Sequence, residues 1–211
     1  MNGVLNQLKR VPVTSITLGI ALLVTLITSL GDYLPILKWF TIVPIEDAGA
    51  GQVYVGSLQS TFSEGEWWRL LTPVFLHFSW LHIIFNGLWI WEAGKRLEPV
   101  FGRVWLLLTM VGIGIISNLA QYWTGTILFG GLSGIIYGLL GFIWLWGVLR
   151  PREDLGFPSG VFIFMLIWLV MGFFGLSAQL GMGETANMAH LGGLLSGVLL
   201  ALGSHVIRRR Y

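Results

Sequence analysis

Six long apolar runs follow one another in this chain, at about 13–30, 71–92, 102–122, 133–149, 159–178 and 186–207. Each is close to the ~20 residues that an α-helix needs to cross ~30 Å of hydrocarbon. Lipid offers the backbone no hydrogen-bond partner, so such runs form helices packed into a bundle. Composition agrees: 55% of the residues are hydrophobic and only 10% charged, against about 25% charged in a soluble domain. The expected fold is therefore an all-α membrane protein, one bundle of six transmembrane helices in a single unit over 1–211. The first run follows Lys9-Arg10. It is too long for a signal-peptide core, has no small-residue cleavage site after it, and reads as a retained span.

Charge sets the expected orientation. Ten of the twelve Lys and Arg residues fall on one side if the N-terminus is cytoplasmic: Lys9, Arg10, Lys95, Arg96, Arg103, Arg150, Arg152, Arg208, Arg209 and Arg210. Only Lys38 and Arg69 lie on the other. The positive-inside rule then puts both termini in the cytoplasm and the long 31–70 segment outside. Trp39, Trp67 and Trp68 in that segment are of the kind found at a membrane interface. A net charge of +2 gives no reason to expect nucleic acid as a partner. The absence of cysteine excludes disulfides and thiol chemistry.

Against this apolar background a few polar residues stand out, because intramembrane polar groups are costly and serve function by default. Ser133 opens the fourth run within Gly131-Leu132-Ser133-Gly134, and His190 opens the sixth within Ala189-His190-Leu191-Gly192-Gly193. Counted upward from Arg150 and Arg208, they stand about 25 Å and about 27 Å above the basic ends of their helices. Two independent helices thus carry a hydroxyl and an imidazole to one level, just below the outer surface. A serine needs a base to act as a nucleophile at neutral pH, and His190 is the one available at that depth. No Asp or Glu lies in a span at that level; Glu184 belongs to the last external loop. The pair reads as a Ser–His dyad.

Other residues fit around it. Tyr137, one turn after Ser133, is placed to steady the imidazole by stacking or hydrogen bonding. His82 and Asn86, four apart in the second run, share a helix face. With the Ser133 amide they supply the donors of an oxyanion hole. A metal site built from His77, His82 and His190 is disfavoured: 77 and 82 share a face poorly at helical spacing, no carboxylate joins them, and no His-Glu-x-x-His pattern occurs. No cofactor is expected. His205, beside the basic tail, reads as interfacial. Gly134, Gly138 and Gly141 on the fourth run and Gly193 and Gly197 on the sixth are small-residue faces that let helices approach closely. Any of these residues could serve helix packing alone; their shared depth is what favours a site.

In this order, with Trp68-Arg69 in the first external loop, these residues resemble the rhomboid family of intramembrane serine proteases across roughly 67–200. The resemblance implies a rhomboid-like six-helix bundle in a bacterial inner membrane, its site open to the periplasmic side. It implies Ser133 as nucleophile, His190 as base, Tyr137 as support, and His82, Asn86 and the Ser133 amide as oxyanion donors. Gly131 and His77 would be supporting residues, and Trp68 and Arg69 architectural. The fifth span and the segment at about 176–186 would gate and cap the site. Pro73 stands where some relatives carry a further histidine, at a position that is not catalytic in the family. Partners would be transmembrane protein substrates and membrane lipids; nothing bears on oligomeric state. Two other readings are a non-catalytic rhomboid-like binder of membrane proteins and, less well supported for want of internal repeats, a small transporter.

Overall fold

The computed structural model describes residues 2–49, 52–176 and 184–208. Most of the expected cap segment at 176–186, with Arg209 and Arg210, lies outside the described residues. After a short helix α1 (Asn2–Arg10) come the bundle helices α2 (Pro12–Ile27), α5 (Trp80–Phe101), α6 (Arg103–Tyr122), α7 (Ser133–Leu149), α8 (Ser159–Phe173) and α9 (Asn187–Arg208). Between α2 and α5 lie two short helices, α3 (Leu34–Leu37) and α4 (Leu58–Ser63), and a hairpin of β1 (Ile45–Gly49) and β2 (Gln52–Val55). Two tight 3-10 turns, Trp67–Leu70 and Thr72–Phe75, lie just before α5, and a further one, Ser29–Gly31, follows α2. The fold is mostly helical, with one short two-stranded hairpin. The hairpin escapes a reading by alternation because every residue of its two strands but Ile45 is exposed.

α7 is the centre. Its residues from Gly134 to Ile143 are buried without interruption, so its apolar character all round reflects neighbours on every side. Its partner is α9. A methyl group on Gly193 would collide with the carbonyl of Gly134, and one on Gly197 with the carbonyl of Gly138. The two backbones touch at these glycines, the close approach that small residues allow between apolar helices. At the far end from Ser133, Phe101, Trp105, Phe142 and Trp146 pack as an aromatic cluster, with the Arg150 guanidinium 5.2 Å from the Trp146 ring.

The second apolar run departs from expectation. Residues 71–79 do not belong to the helix: Pro73 sits in the Thr72–Phe75 turn, and Leu76 takes an extended conformation. Ser79 caps α5 by accepting a hydrogen bond from the His82 amide at 3.2 Å, the usual role of serine at a helix start. The helix then continues past the charged residues Glu92, Lys95, Arg96 and Glu98 to Phe101. Glu92 pairs with Lys95 and Arg96 along one face. Glu98 is buried, and its carboxylate accepts from Val13 N (2.9 Å), Thr14 N (3.0 Å) and Thr14 Oγ1 (2.7 Å). First-turn N–H groups of α2 have no acceptor within their own helix, and a carboxylate from α5 supplies one. Gly102, at φ +87°, turns the chain directly into α6.

α6 and α9 are long and apolar enough to cross a membrane; α2, α7 and α8 are shorter apolar helices. Large apolar side chains also cover the outside, among them Ile16, Leu23, Ile84, Leu108, Ile163 and Leu199. A surface of this kind is an aggregation hazard in water and a natural boundary with lipid.

Candidate active site

Ser133 is the first residue of α7, preceded by two glycines that the local geometry demands. Gly131 has φ +115°, a region closed to ordinary L side chains, and its N–H donates to Pro73 O at 3.2 Å. A methyl group on Gly131 would sit 2.6 Å from His82 Nε2 and 3.1 Å from Asn86 Nδ2. One on Gly130 would strike Leu76 Cβ at 2.5 Å. Bare backbone thus slides beneath the start of α5, and the polar ends of His82 and Asn86 come up against the residues leading into Ser133. As the first helical residue, Ser133 offers an amide with no acceptor in its own helix.

Between α7 and α9, Ser133 Oγ lies 2.8 Å from His190 Nε2, a distance suited to proton transfer between a hydroxyl and an imidazole. His190 is 5% exposed. Its other nitrogen, Nδ1, is buried and has no hydrogen-bond partner among the described residues, so no carboxylate orients the ring. The Tyr137 ring does so by contact, stacked on the imidazole at 4.4 Å and 20°. Tyr137 is in turn fixed by its hydroxyl, which donates to Met165 O on α8 at 2.9 Å.

His77 is not on a helix with His82, so counting their spacing as helical misplaces it. It lies in the link before α5, fully buried, with its ring edge against His82 at 4.8 Å. Its Nδ1 is 3.1 Å from Phe75 O. A carbonyl only accepts, so Nδ1 carries the hydrogen and Nε2 is left as an acceptor. Asn86 Nδ2 lies 2.9 Å from that Nε2 and donates to it. The carboxamide of Asn86 therefore turns its NH2 group, not its oxygen, toward His77 and Gly131.

The segment between α2 and α5 is tied into a rim by side-chain hydrogen bonds. Arg69, 3% exposed, pairs through Nε with Glu66 (2.6 Å), and its Nη1 donates to the carbonyls of Lys38 (2.5 Å) and Thr41 (3.2 Å). Trp68 Nε1 donates to Trp39 O at 3.2 Å. Among the described residues no group of three or more His, Asp or Glu side chains converges as a metal ligand set.

Sequence reasoning passed over a polar group on α6. Asn118 Nδ2 donates to Leu70 O (2.8 Å) and Leu71 O (3.3 Å), securing the rim. Ser117 faces Gly134, close enough that a methyl there would meet its Oγ at 2.8 Å. Gln121 reaches the start of α9. The signal was available, since three polar residues within one turn of an apolar run are as anomalous as Ser133 itself.

A family model described as the rhomboid domain matches residues 64–206, which include Ser133, His190, Tyr137, His77, His82, Asn86 and Gly131. The chain is also similar to the rhomboid protease GlpG of three bacteria. It is 42% identical to that of Pectobacterium atrosepticum and 44% to that of Serratia proteamaculans, over 134 residues in each case. These alignments cover 64% of this chain and 47% of the relative. With the protein of Photorhabdus laumondii it shares 41% over 140 residues, 65% of this chain and 47% of the relative. The matched part is thus about half the length of these relatives.

Proposed function

The chain belongs to the rhomboid family, and from that premise we propose that it is an intramembrane serine endopeptidase that cuts peptide bonds in or beside the transmembrane helices of other proteins. The observation that carries this reading is the 2.8 Å approach of Ser133 Oγ to His190 Nε2. In the proposed mechanism His190, neutral with its hydrogen on Nδ1, takes the Ser133 proton as Oγ attacks the scissile carbonyl carbon. The tetrahedral oxyanion is held by the Ser133 amide, Asn86 Nδ2 and His82. His190 returns the proton to the leaving amine. Water then attacks the acyl-serine with His190 again as base, releasing the new carboxylate and restoring Oγ–H.

All six bundle helices cross the membrane in this proposal, with both termini cytoplasmic and the Ser133 end of α7 open to the periplasmic face of a bacterial inner membrane. The basic residues at the opposite helix ends support that orientation. A helical substrate has its carbonyls paired, so the segment to be cut must first unwind, which favours spans with Gly, Ala, Ser or Pro near their outer end. The glycine-lined approach to Ser133 favours a small residue before the cut. α8, joined to the bundle through Met165 and Tyr137, is the proposed gate.

The test is a fluorophosphonate probe on the purified protein, with cleavage of a single-span substrate in liposomes and mass mapping of the products. Labelling of the wild type that disappears in Ser133→Ala, with cuts mapped near the outer end of the span, is the expected result. A protein that binds the substrate but neither labels nor cleaves is instead a non-catalytic member of the family. Full cleavage by Ser133→Ala or His190→Ala refutes the mechanism.

A further inference from the structure

α9 starts at Asn187, and its first turn carries N–H groups that its own helix leaves without acceptors. Two of them, those of Met188 and Ala189, donate to one atom, Oε1 of Gln121, at 3.1 and 3.2 Å. Gln121 stands on the last turn of α6, 6% exposed. Its carboxamide has a fixed sense. Thr124 Oγ1 gives its single hydrogen to the main-chain carbonyl of Gln121 at 2.7 Å and accepts from the side-chain Nε2 of Gln121 at 3.3 Å. With the nitrogen held by Thr124, the oxygen faces α9. A side chain from α6 thus does for α9 what an N-cap residue normally does for its own helix.

The next residue after Ala189 is His190. Below it, α9 is anchored to α7 by the contacts at Gly193 and Gly197, but those lie deeper than the histidine. We propose that Gln121 is a positioning residue for the Ser133–His190 pair, a cap supplied from α6 that holds the first turn of α9 and with it the imidazole at reacting distance. This rests on the protease reading above. Without the cap, the turn holding His190 frays while the glycine contacts keep the rest of α9 docked. The effect falls on the chemical step more than on the fold, since a misplacement of about 1 Å at reacting groups can cost about 100-fold in rate.

The test compares Gln121→Met, of similar length but without an acceptor, with Gln121→Glu, which keeps an oxygen at the same reach. Three quantities are read on the full-length protein in detergent: fluorophosphonate labelling rate at Ser133, kcat and KM on a single-span substrate, and amide hydrogen exchange over residues 186–190. Gln121→Met is expected to label at least about tenfold more slowly, with kcat falling in step, KM within about twofold, and faster exchange in that segment. Gln121→Glu is expected to retain most of the rate and the protection. Wild-type labelling and exchange in Gln121→Met overturn the proposal, as does equal loss in both variants, which would mean that the acceptor is not what matters. Absence of labelling in the wild type refutes the protease reading instead, and the inference falls with it.

Discussion

His77 Nε2 accepts a hydrogen bond from Asn86 Nδ2 at 2.9 Å, and that single contact decides which end of the Asn86 carboxamide faces the candidate site. The direction follows from the carbonyl of Phe75, which holds the His77 hydrogen on Nδ1. A buried ring outside the helix thus sets the polarity of a donor on it. Asn86→Ala should lower kcat by about 100-fold, the usual loss on removing one oxyanion donor. His77→Leu, which frees the carboxamide to turn, should cost about tenfold with KM little changed. The double variant should be no worse than Asn86→Ala alone, because both changes act through one donor. Additive losses in kcat would show that His77 acts by another route.

Tyr137 combines two functions that substitution can separate. Its ring stacks on His190, and its hydroxyl reaches Met165 O on α8. Tyr137→Phe keeps the ring and loses one hydrogen bond, at about 1 kcal/mol of stability, and activity per folded molecule should stay within about threefold. Tyr137→Ala removes the surface on which the imidazole rests, and kcat should fall by about 100-fold, the loss that a small misplacement of reacting groups brings. Equal activity in the two variants would remove the stacked ring from the mechanism.

The α7–α9 contact offers a test of packing. Backbone meets backbone at Gly138 and Gly197, so a side chain at 197 has nowhere to go. Gly197→Val should destabilise the protein by about 1–3 kcal/mol, the usual cost of overpacking a core. It should also separate α7 from α9 and so slow labelling of Ser133. Gly203, with open space around it, is the control: Gly203→Ala should leave both the unfolding midpoint and the labelling rate close to wild type.

Some of this was legible in the sequence, for physical reasons. Apolar runs at 102–122 and 133–149 match α6 and α7 closely because a basic residue marks one end of each, Arg103 and Arg150. Ser133 and His190 stood out because polar groups are rare in such runs, and the structure brings them within hydrogen-bonding distance. The run at 71–92 misled because apolarity says nothing about backbone direction. Pro73 and Ser79 carried the true boundary, a proline-bearing 3-10 turn and then a cap. The far end of α5 was hidden by charges that are paired along the helix or buried against α2. The hairpin carries almost no burial pattern to read. Gln121 stands out in the sequence as a polar residue in an apolar run, but its partners do not: they are 67 and 68 residues away, and no periodicity encodes a contact between helix ends.

Glu98 is the clearest case of a charged residue whose place only the fold explains, and it separates stability from chemistry. Its carboxylate accepts three hydrogen bonds from Val13 and Thr14, where Gly94 lets α2 and α5 approach so closely that a methyl group there would strike Thr14. The site lies toward the opposite end of the bundle, since α5 runs from the His82 and Asn86 level down to Glu98. Glu98→Ala strands two first-turn amides and a hydroxyl, and should cost about 2–4 kcal/mol, the sum expected for a lost cap and unpaired buried donors. Glu98→Gln keeps one acceptor oxygen and should cost about half as much. Chemical unfolding in detergent measures both. The labelling rate of Ser133, normalised to folded protein, should match wild type in each variant. A rate that falls with stability would mean that the α2–α5 clamp reaches the site through the length of α5.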